Sequence, residues 1–591
     1  MRMIDALRRD NVLTESEFPD SVSLILAGEA SAATITPAKS AFLTQHGELS
    51  EAGYKRTAAS ERRLMHHAQV GWRDPALTAQ NISLISSRIA SENGYVDRYG
   101  ICLDWSMGYP PNERDGRARG TGLVLRNDDD FTLIANASNG AAHFGDFVIG
   151  MPAAVENTKA ALRAGATSIG NLGQYFTFRL PDWDDDVLIT AKTVEAISLC
   201  ASMPAEILIH SNLDDGFAAR FSDLACALGA VLLEKHIVET LLGAQIGHCF
   251  GHTFSDLRSR QAFHLALSRI TQTPGTMIYG NTTAFTENEA ESYAALAAYL
   301  SSDMASLHWS PSGHAITPIP VTEASRIPSV DEIIDAQLFS WRLTDRLQGT
   351  FADDPPSQVV ALADTLVGSG QLFFDNTMRG LKDHGYNTED PFEMLLALRR
   401  IGAGEMERAF GPGPEDSKGY YGRAPVVASS VVHEISAQAQ RIVDGIPSEV
   451  QDRFLERAPR ICLATTDVHE YGKRLVEQVL SELGVVVIDG GISVDPDDLV
   501  RHAIDAGADV IALSTYNGIA EKYIDRLIAE IDLSGRSFEV FVGGRLNVVQ
   551  DGSNTGLPVD VESSLTAKGV AVCRTVEDMV TMLANNSTKE E

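Results

Sequence analysis

No stretch of about 18 uncharged apolar residues occurs in the 591-residue chain, so no membrane-spanning helix is expected. The first residues carry acids and arginine and no apolar segment, so no secretory signal is expected either. Positive charge is scarce. There are 48 Lys and Arg against 80 Asp and Glu, a formal net charge of −32. Such a field repels phosphate backbones, which argues against nucleic acid as a partner; without an apolar span, no membrane partner is expected either. An anionic substrate would need a local basic pocket. Cysteine is sparse, with six residues at 102, 200, 226, 249, 462 and 573 and no CxxC spacing. That excludes a zinc ribbon and a thioredoxin-type motif, and it suits free thiols in a cytoplasmic protein. Internal repeats are absent, and low complexity is confined to the polar tail 585–591. With 44% hydrophobic and 22% charged residues, the composition is that of a globular protein, not a disordered or fibrous one.

What is present reads as α/β. Residues 1–75 are expected to form a polar, helical N-terminal region without chemistry. Residues 76–435 form the next region: from 76 to about 330 short apolar runs alternate with amphipathic stretches, and longer helices follow. Strand-like runs fall at 99–105, 131–135, 206–210 and 276–279, and a helical window spans 153–164. Alternation over about 250 residues predicts a (β/α)8 TIM-type barrel with a helical extension. A glycine- and proline-rich insert lies at 409–421. Residues 436–457 read as a linker. Five strand-like runs and four or five helices then fill 458–591, the pattern of a flavodoxin-like (Rossmann-like) doubly wound sheet.

In this last region Asp467, His469 and Gly472 directly follow the first predicted strand. Ligands of open α/β sheets bind outside the carboxyl ends of the strands. A histidine there can ligate a metal through one ring nitrogen while a carboxylate holds the other. Ser514 and the pair Gly543–Gly544 end two further strands, a line of small residues suited to a flat or elongated ligand. Singly, each has a bland reading as a cap or a turn.

The series Asp-x-His-x-x-Gly, then Ser, then Gly-Gly resembles the cobalamin-binding domain of the mutase and methionine-synthase superfamily. The resemblance implies that His469 is the lower axial cobalt ligand and Asp467 its orienting partner. It also implies that Gly472, Ser514, Gly543 and Gly544 line the slot for the nucleotide tail. Tyr516 stands where the family pattern has leucine, which alters one wall of that slot.

The barrel region is similar, more weakly, to the catalytic chain of glutamate mutase, through stretches at 149–152, 165–183, 305–324 and 408–412. In that enzyme the two parts are separate chains; here they are fused. The departures are informative. A substrate-clamping arginine of the family falls on Val148, and a glutamate that holds the substrate amine falls near Asn171 or Leu172. Residues that touch the adenosyl ribose fall near Pro311 and Ala315. Glutamate is therefore not the expected substrate, since a lost bidentate arginine removes orienting energy.

Histidines and amides cluster near predicted strand ends: His210 with Asn212, His248 with Cys249 and His252, Asn281, and His308 with His314. Together they predict a polar, mostly uncharged pocket, although any single one reads more readily as a satisfied structural histidine. His248 with His252 as a second metal site lacks a carboxylate at matching spacing. The loop carrying Arg114, Arg117 and Arg119 is the one basic cluster, either an anion clamp or a solvated loop with local ion pairs. Arg114, Asn171, His210, His248 and His314 are the candidate substrate residues.

The expected function is thus an adenosylcobalamin-dependent radical isomerase acting on a small polar molecule, with a homodimer by analogy. A corrinoid methyltransferase is the alternative, because a barrel with a cobalamin domain serves either. A pyridoxal-phosphate aminomutase would need a Schiff-base lysine and a phosphate cradle. A cobalamin sensor would not need the barrel.

Overall fold

The computed structural model describes residues 6–117, 122–286, 288–324, 327–417, 419–466, 471–515, 519–548 and 559–585. The chain divides into two compact units. Residues to Ser430 form, in the main, the first, and those from Val431 form the second.

The first unit is a closed barrel of eight parallel strands. They are β1 (Met65–Val70), β2 (Arg98–Ile101), β3 (Ala141–Phe144), β4 (Ser168–Ile169), β5 (Leu208–Asn212), β6 (Gln245–Phe250), β7 (Met277–Ile278) and β8 (Ala315–Ile316). Closure is made by β1, whose Met65 pairs with Ala315 of β8 while His67 pairs with Arg98 of β2. Strands covered on both faces are almost wholly buried, as parallel strands under a helical ring must be. The helix Glu51–Ser60, capped by Ser50, closes the N-terminal end. Its Tyr54 and Ala58 pack on Met65, Ala141, Met277 and Ala315, which begin four of the strands.

Two expectations are corrected in this unit. The barrel begins at Met65, inside the region read as helical, because β1 carries His67 and Gln69 where a buried strand usually shows apolar residues. Residues 131–135 are not a strand. They end the helix Asp128–Ala135, which Asn127 caps and three aspartates favour in its first turn.

The second unit is an open parallel sheet. Its strands are β9 (Ile461–Thr465), β10 (Val487–Gly491), β11 (Val510–Thr515), β12 (Glu539–Gly544) and β15 (Ala571–Cys573), ordered β10-β9-β11-β12-β15. A small ribbon, β13 (Asn547–Val548) with β14 (Val559–Asp560), stands apart. The sheet order is that of flavodoxin-like folds. Alternation along the strands feeds two cores. Ile461, Leu463, Val510, Ala512 and Phe541 face one side, and Cys462, Ala464, Ile511, Leu513 and Val542 face the other. Residues 436–457 are not a linker. The helices Ser430–Gly445 and Ser448–Arg457 bury Val431, Ile435, Ala439, Ile446 and Phe454 in the first of these cores.

Among the described residues no helix is long and apolar enough to cross a membrane.

Candidate functional site

In the second unit the small residues converge as their positions required. Ser514 and Gly543 are register partners on β11 and β12, and Thr515 faces Gly544. Gly472 lies at the start of the helix Tyr471–Glu482, which follows β9. All four expected residues, Gly472, Ser514, Gly543 and Gly544, line one cavity of about 380 Å³. Its inner wall is apolar, made by Leu463, Ala512 and Phe541. A Cβ on Gly472 would sit 2.5 Å from Ser514 Oγ, and one on Gly543 would sit 3.1 Å from the Cys573 carbonyl. Gly544 has φ +102° and abuts the Thr515 carbonyl, so a side chain there is excluded twice over. The Ser514 hydroxyl lines the cavity and forms no hydrogen bond among the described residues. A slot with apolar walls, one available hydroxyl and glycines at its narrowest points fits a planar heteroaromatic ring. Asp467, His469 and Tyr516 lie outside the described residues.

The barrel lumen holds a polar stack. At its base Arg98 Nε donates to Glu51 Oε1 at 2.8 Å. One terminal nitrogen of Arg98 donates to His67 Nδ1 at 3.2 Å and the other to Ser168 Oγ at 3.2 Å. Lys55 donates to the carbonyls of Thr276 and Gly313 at 2.8 and 3.0 Å. Three histidines stand above, on alternate strands. His67 Nε2 meets Gln69 Oε1 at 3.0 Å, His143 Nδ1 meets the Ser168 carbonyl at 3.1 Å, and His210 Nδ1 meets Thr276 Oγ1 at 2.9 Å. The rings of His143 and His210 stack edge to face with centroids 4.6 Å apart, which places both inside the barrel. Burial, and then the Arg98 guanidinium, hold all three imidazoles well below their usual range, so they are neutral. The Arg98 contact fixes one tautomer: His67 accepts at Nδ1 and so donates from Nε2. The Ser168 hydroxyl also reaches His143 Nδ1, at 3.1 Å, and His143 Nε2 is buried and without a partner among the described residues.

Above the histidines the strand ends carry acids and amides. Asn171, fully buried after β4, accepts at Oδ1 from the backbone N–H of Gly173 and Asn212, and it donates to Asp215 Oδ2 at 3.1 Å. Asn212 also donates to Asp215 Oδ2, at 2.9 Å. Asp146, just past β3, accepts from Gln174 Nε2 at 3.3 Å. Burial and the neighbouring Asp215 push its carboxyl up to about 7. The fields of Glu323, Asp146 and Asp215 reach Tyr279.

Of the expected barrel residues, the structure brings Asn171 and His210 to this lumen. It does not bring His248 or His314. His248 Nε2 is held at 2.9 Å by Glu234 of the outer helix Leu224–Lys235. His248 pairs in register with Ser211, next to lumen-facing His210, and successive strand residues alternate faces. His314 precedes β8, bonds to Ser312 Oγ at 2.7 Å and packs on His264 of the helix Leu257–Ile270. Arg114 is turned inward by the Tyr109 carbonyl (2.9 Å) and Asn157 Oδ1 (2.6 Å), and burial lowers it to about 10. Val148 is fully buried, and no arginine replaces it at that position. His252 pairs with Thr282 Oγ1, and among the described residues neither it nor His248 joins a metal-ligand cluster. Arg98, His67, His143, Asp146 and Asp215 were not expected. Asp146 and Asp215 lie just beyond strands, where a barrel concentrates function.

Residues 461–557 match the profile of the B12 binding domain family. Over 98 residues the chain is 30% identical to glutamate mutase sigma subunit 1 of Haloarcula marismortui. The match covers 17% of this chain and 65% of that relative. The chain thus spans somewhat less than two thirds of the curated relative it matches. Match, relative and fold together place a B12 binding domain in the C-terminal part of a chain whose first unit is a closed parallel barrel.

Proposed function

We propose that the chain is an adenosylcobalamin-dependent isomerase of the carbon-skeleton mutase type, acting on a small polar substrate other than glutamate. The observation that carries the proposal is the glycine-gated slot with its available Ser514 hydroxyl, in a chain that also owns a closed barrel with a polar lumen. When bound, adenosylcobalamin supplies a weak cobalt–carbon bond whose homolysis starts radical chemistry.

The rest falls to the protein. In this reading His469 would hold the cobalt and Asp467 would orient it. Gly472, Gly543 and Gly544 would admit the nucleotide tail, Ser514 would offer it a hydrogen bond, and Tyr516 would form one wall. In the barrel, neutral His210 and His143 and the amide of Asn171 hold the substrate's polar groups. The ring of strands and helices keeps water from reactive species. The substrate is a small molecule, and the homodimer expected by analogy belongs to this proposal.

One observation favours the alternative, a corrinoid methyltransferase. The helices 430–457 pack within the second unit, in the place where methyl-transfer domains carry a helical cap. Electron paramagnetic resonance separates the two. The protein is loaded anaerobically with adenosylcobalamin and mixed with pooled acids, amino acids and hydroxy acids. The isomerase predicts a cobalt signal coupled to an organic radical with one pool. Silence from every pool with cofactor bound, together with turnover of methylcobalamin, would overturn it.

A further inference from the structure

A further cavity of about 420 Å³ opens at the amino ends of the barrel strands, away from the strand ends that carry Asn171 and Asp146. Its size falls within the range of about 300–1,000 Å³ that small-molecule sites occupy. Residues 62–65, which lead into β1, and 311–314, which lead into β8, form one side. The ends of the helices Glu289–Trp309 and Val330–Leu347 form the other. The walls are apolar. Met65 and Met304 are buried, and Leu307, Leu347 and Phe351 are half-buried.

Two charges of opposite sign line this cavity, and neither has an ion-pair partner among the described residues. Arg62 spends one terminal nitrogen on the His308 carbonyl at 3.2 Å, which anchors the guanidinium against the end of a helix. Asp345 makes no hydrogen bond among the described residues. It stands in the last turn of its helix, where the axial dipole disfavours a carboxylate. Both side chains are exposed, so they sit at the mouth, with the apolar walls inside. Arg63, also at the cavity, is taken by Asp97 at 2.8 Å. The pair of charges selects by exclusion. A simple anion would meet Asp345, a simple cation would meet Arg62, and a neutral apolar molecule would leave both unused. A molecule that carries both charges beside an apolar group matches the whole lining.

We propose that this cavity binds an α-amino acid with an apolar side chain. Its carboxylate pairs with Arg62, its ammonium with Asp345, and its side chain enters between Met65, Met304, Leu307, Leu347 and Phe351. The site uses none of the side chains of the polar lumen or of the slot in the second unit, so it stands whatever reaction the chain performs.

Calorimetric titration of the full-length protein tests it with four probes. They are leucine, isovalerate without the amine, isoamylamine without the carboxylate, and glycine without the apolar group. Leucine is expected to bind at one site per chain, and each of the others about tenfold or more weaker. Arg62→Gln is expected to weaken leucine about tenfold while leaving isoamylamine no weaker. Asp345→Asn is expected to weaken leucine about tenfold while leaving isovalerate no weaker. Melting curves check that both variants fold, and the ranking of probes is read on the unaltered protein, so the test does not depend on them. No binding of leucine, a truncated probe that binds as well as leucine, or leucine affinity unchanged in folded R62Q and D345N would overturn the inference.

Discussion

Gly472 and Ser514 oppose each other across the slot of the second unit so closely that a Cβ on the glycine would stand 2.5 Å from the serine oxygen. The gap exists because residue 472 has no side chain, and the hydroxyl is available because nothing fills the gap. Gly472→Val should therefore abolish cobalamin uptake, read from the visible spectrum, while the melting temperature stays close to that of the parent. Ser514→Ala, which widens the slot and removes a donor, should weaken uptake by a smaller amount, about 1 kcal/mol. Normal uptake by G472V would show that the slot is not where the ligand goes.

The Arg98–Glu51 pair at the barrel base is buried on both sides, at 2% and 3% exposure. Removing one partner leaves the other charge in a dry place. Arg98→Met should cost about 3–5 kcal/mol in chemical denaturation. Adding Glu51→Met alone should not recover that loss, because Lys55, which shares Glu51, is then stranded; the triple change with Lys55→Met should recover much of it. A single variant no less stable than the triple would contradict the role of the cluster.

Lys55 beneath the same carboxylate is pushed down to about 8 from 10.5, chiefly by burial. Between those values the unfolded chain holds a proton that the folded chain has released. Stability should therefore gain from this group as pH rises from about 8 to 10.5, with a slope approaching 1.4 kcal/mol per pH unit. Lys55→Met should flatten that part of the profile, and an unchanged slope would reject the assignment.

Asp146 runs the other way. Its folded value is raised to about 7, so between 3.8 and about 7 the folded chain keeps a proton that the unfolded chain has lost. This carboxyl should erode stability as pH climbs through that interval and then level off. Asp215, Glu323, Tyr279, Cys102 and His143 surround it, together with the amides of Asn171 and Gln174. Asp146→Asn should melt higher than the parent at pH 8, because the neutral amide removes the repulsion with Asp215. A lower melting temperature would mark it as structural.

Phe454 is fully buried against the core of the second unit. Phe454→Ala should cost about 3–5 kcal/mol and reduce retention of cobalamin. An effect confined to the barrel's own melting transition would argue that the helices belong elsewhere.

The second unit was legible because its central strands β9, β11 and β12 are buried on both faces and so write nearly continuous apolar runs, with small residues at their tips. The barrel was legible as alternation but not in detail. β1 escaped because its lumen-facing positions are His67 and Gln69, and a polar lumen erases the hydrophobic signal. Residues 131–135 misled because five apolar-rich residues read as a strand, although Asn127 and the three following aspartates mark a helix start. The helix 430–445 escaped because Val431, Ile435 and Ala439, spaced four apart, lay across the boundary assigned to the barrel. His248 and His314 were near strand ends, but nearness says nothing of facing. One residue of parity separates lumen-facing His210 from the outward pair of Ser211 and His248, and no local pattern reports it. Asn171 was found by position, while Asp146 and Asp215 were passed over because aspartate after a strand is also the commonest way to turn a chain.

The two helices ahead of β9 also decide where this polypeptide can be severed. A cut at residue 458, where the alternating strands begin, would send Val431, Ile435, Ala439, Ile446 and Phe454 away with the barrel and strip one wall from the sheet. It would also carry off Gln438 and Ile442, which line the slot. A break ahead of Val431 would keep both helices with the sheet, so the stretch that builds the slot is longer by some thirty residues than the one sequence similarity marks out.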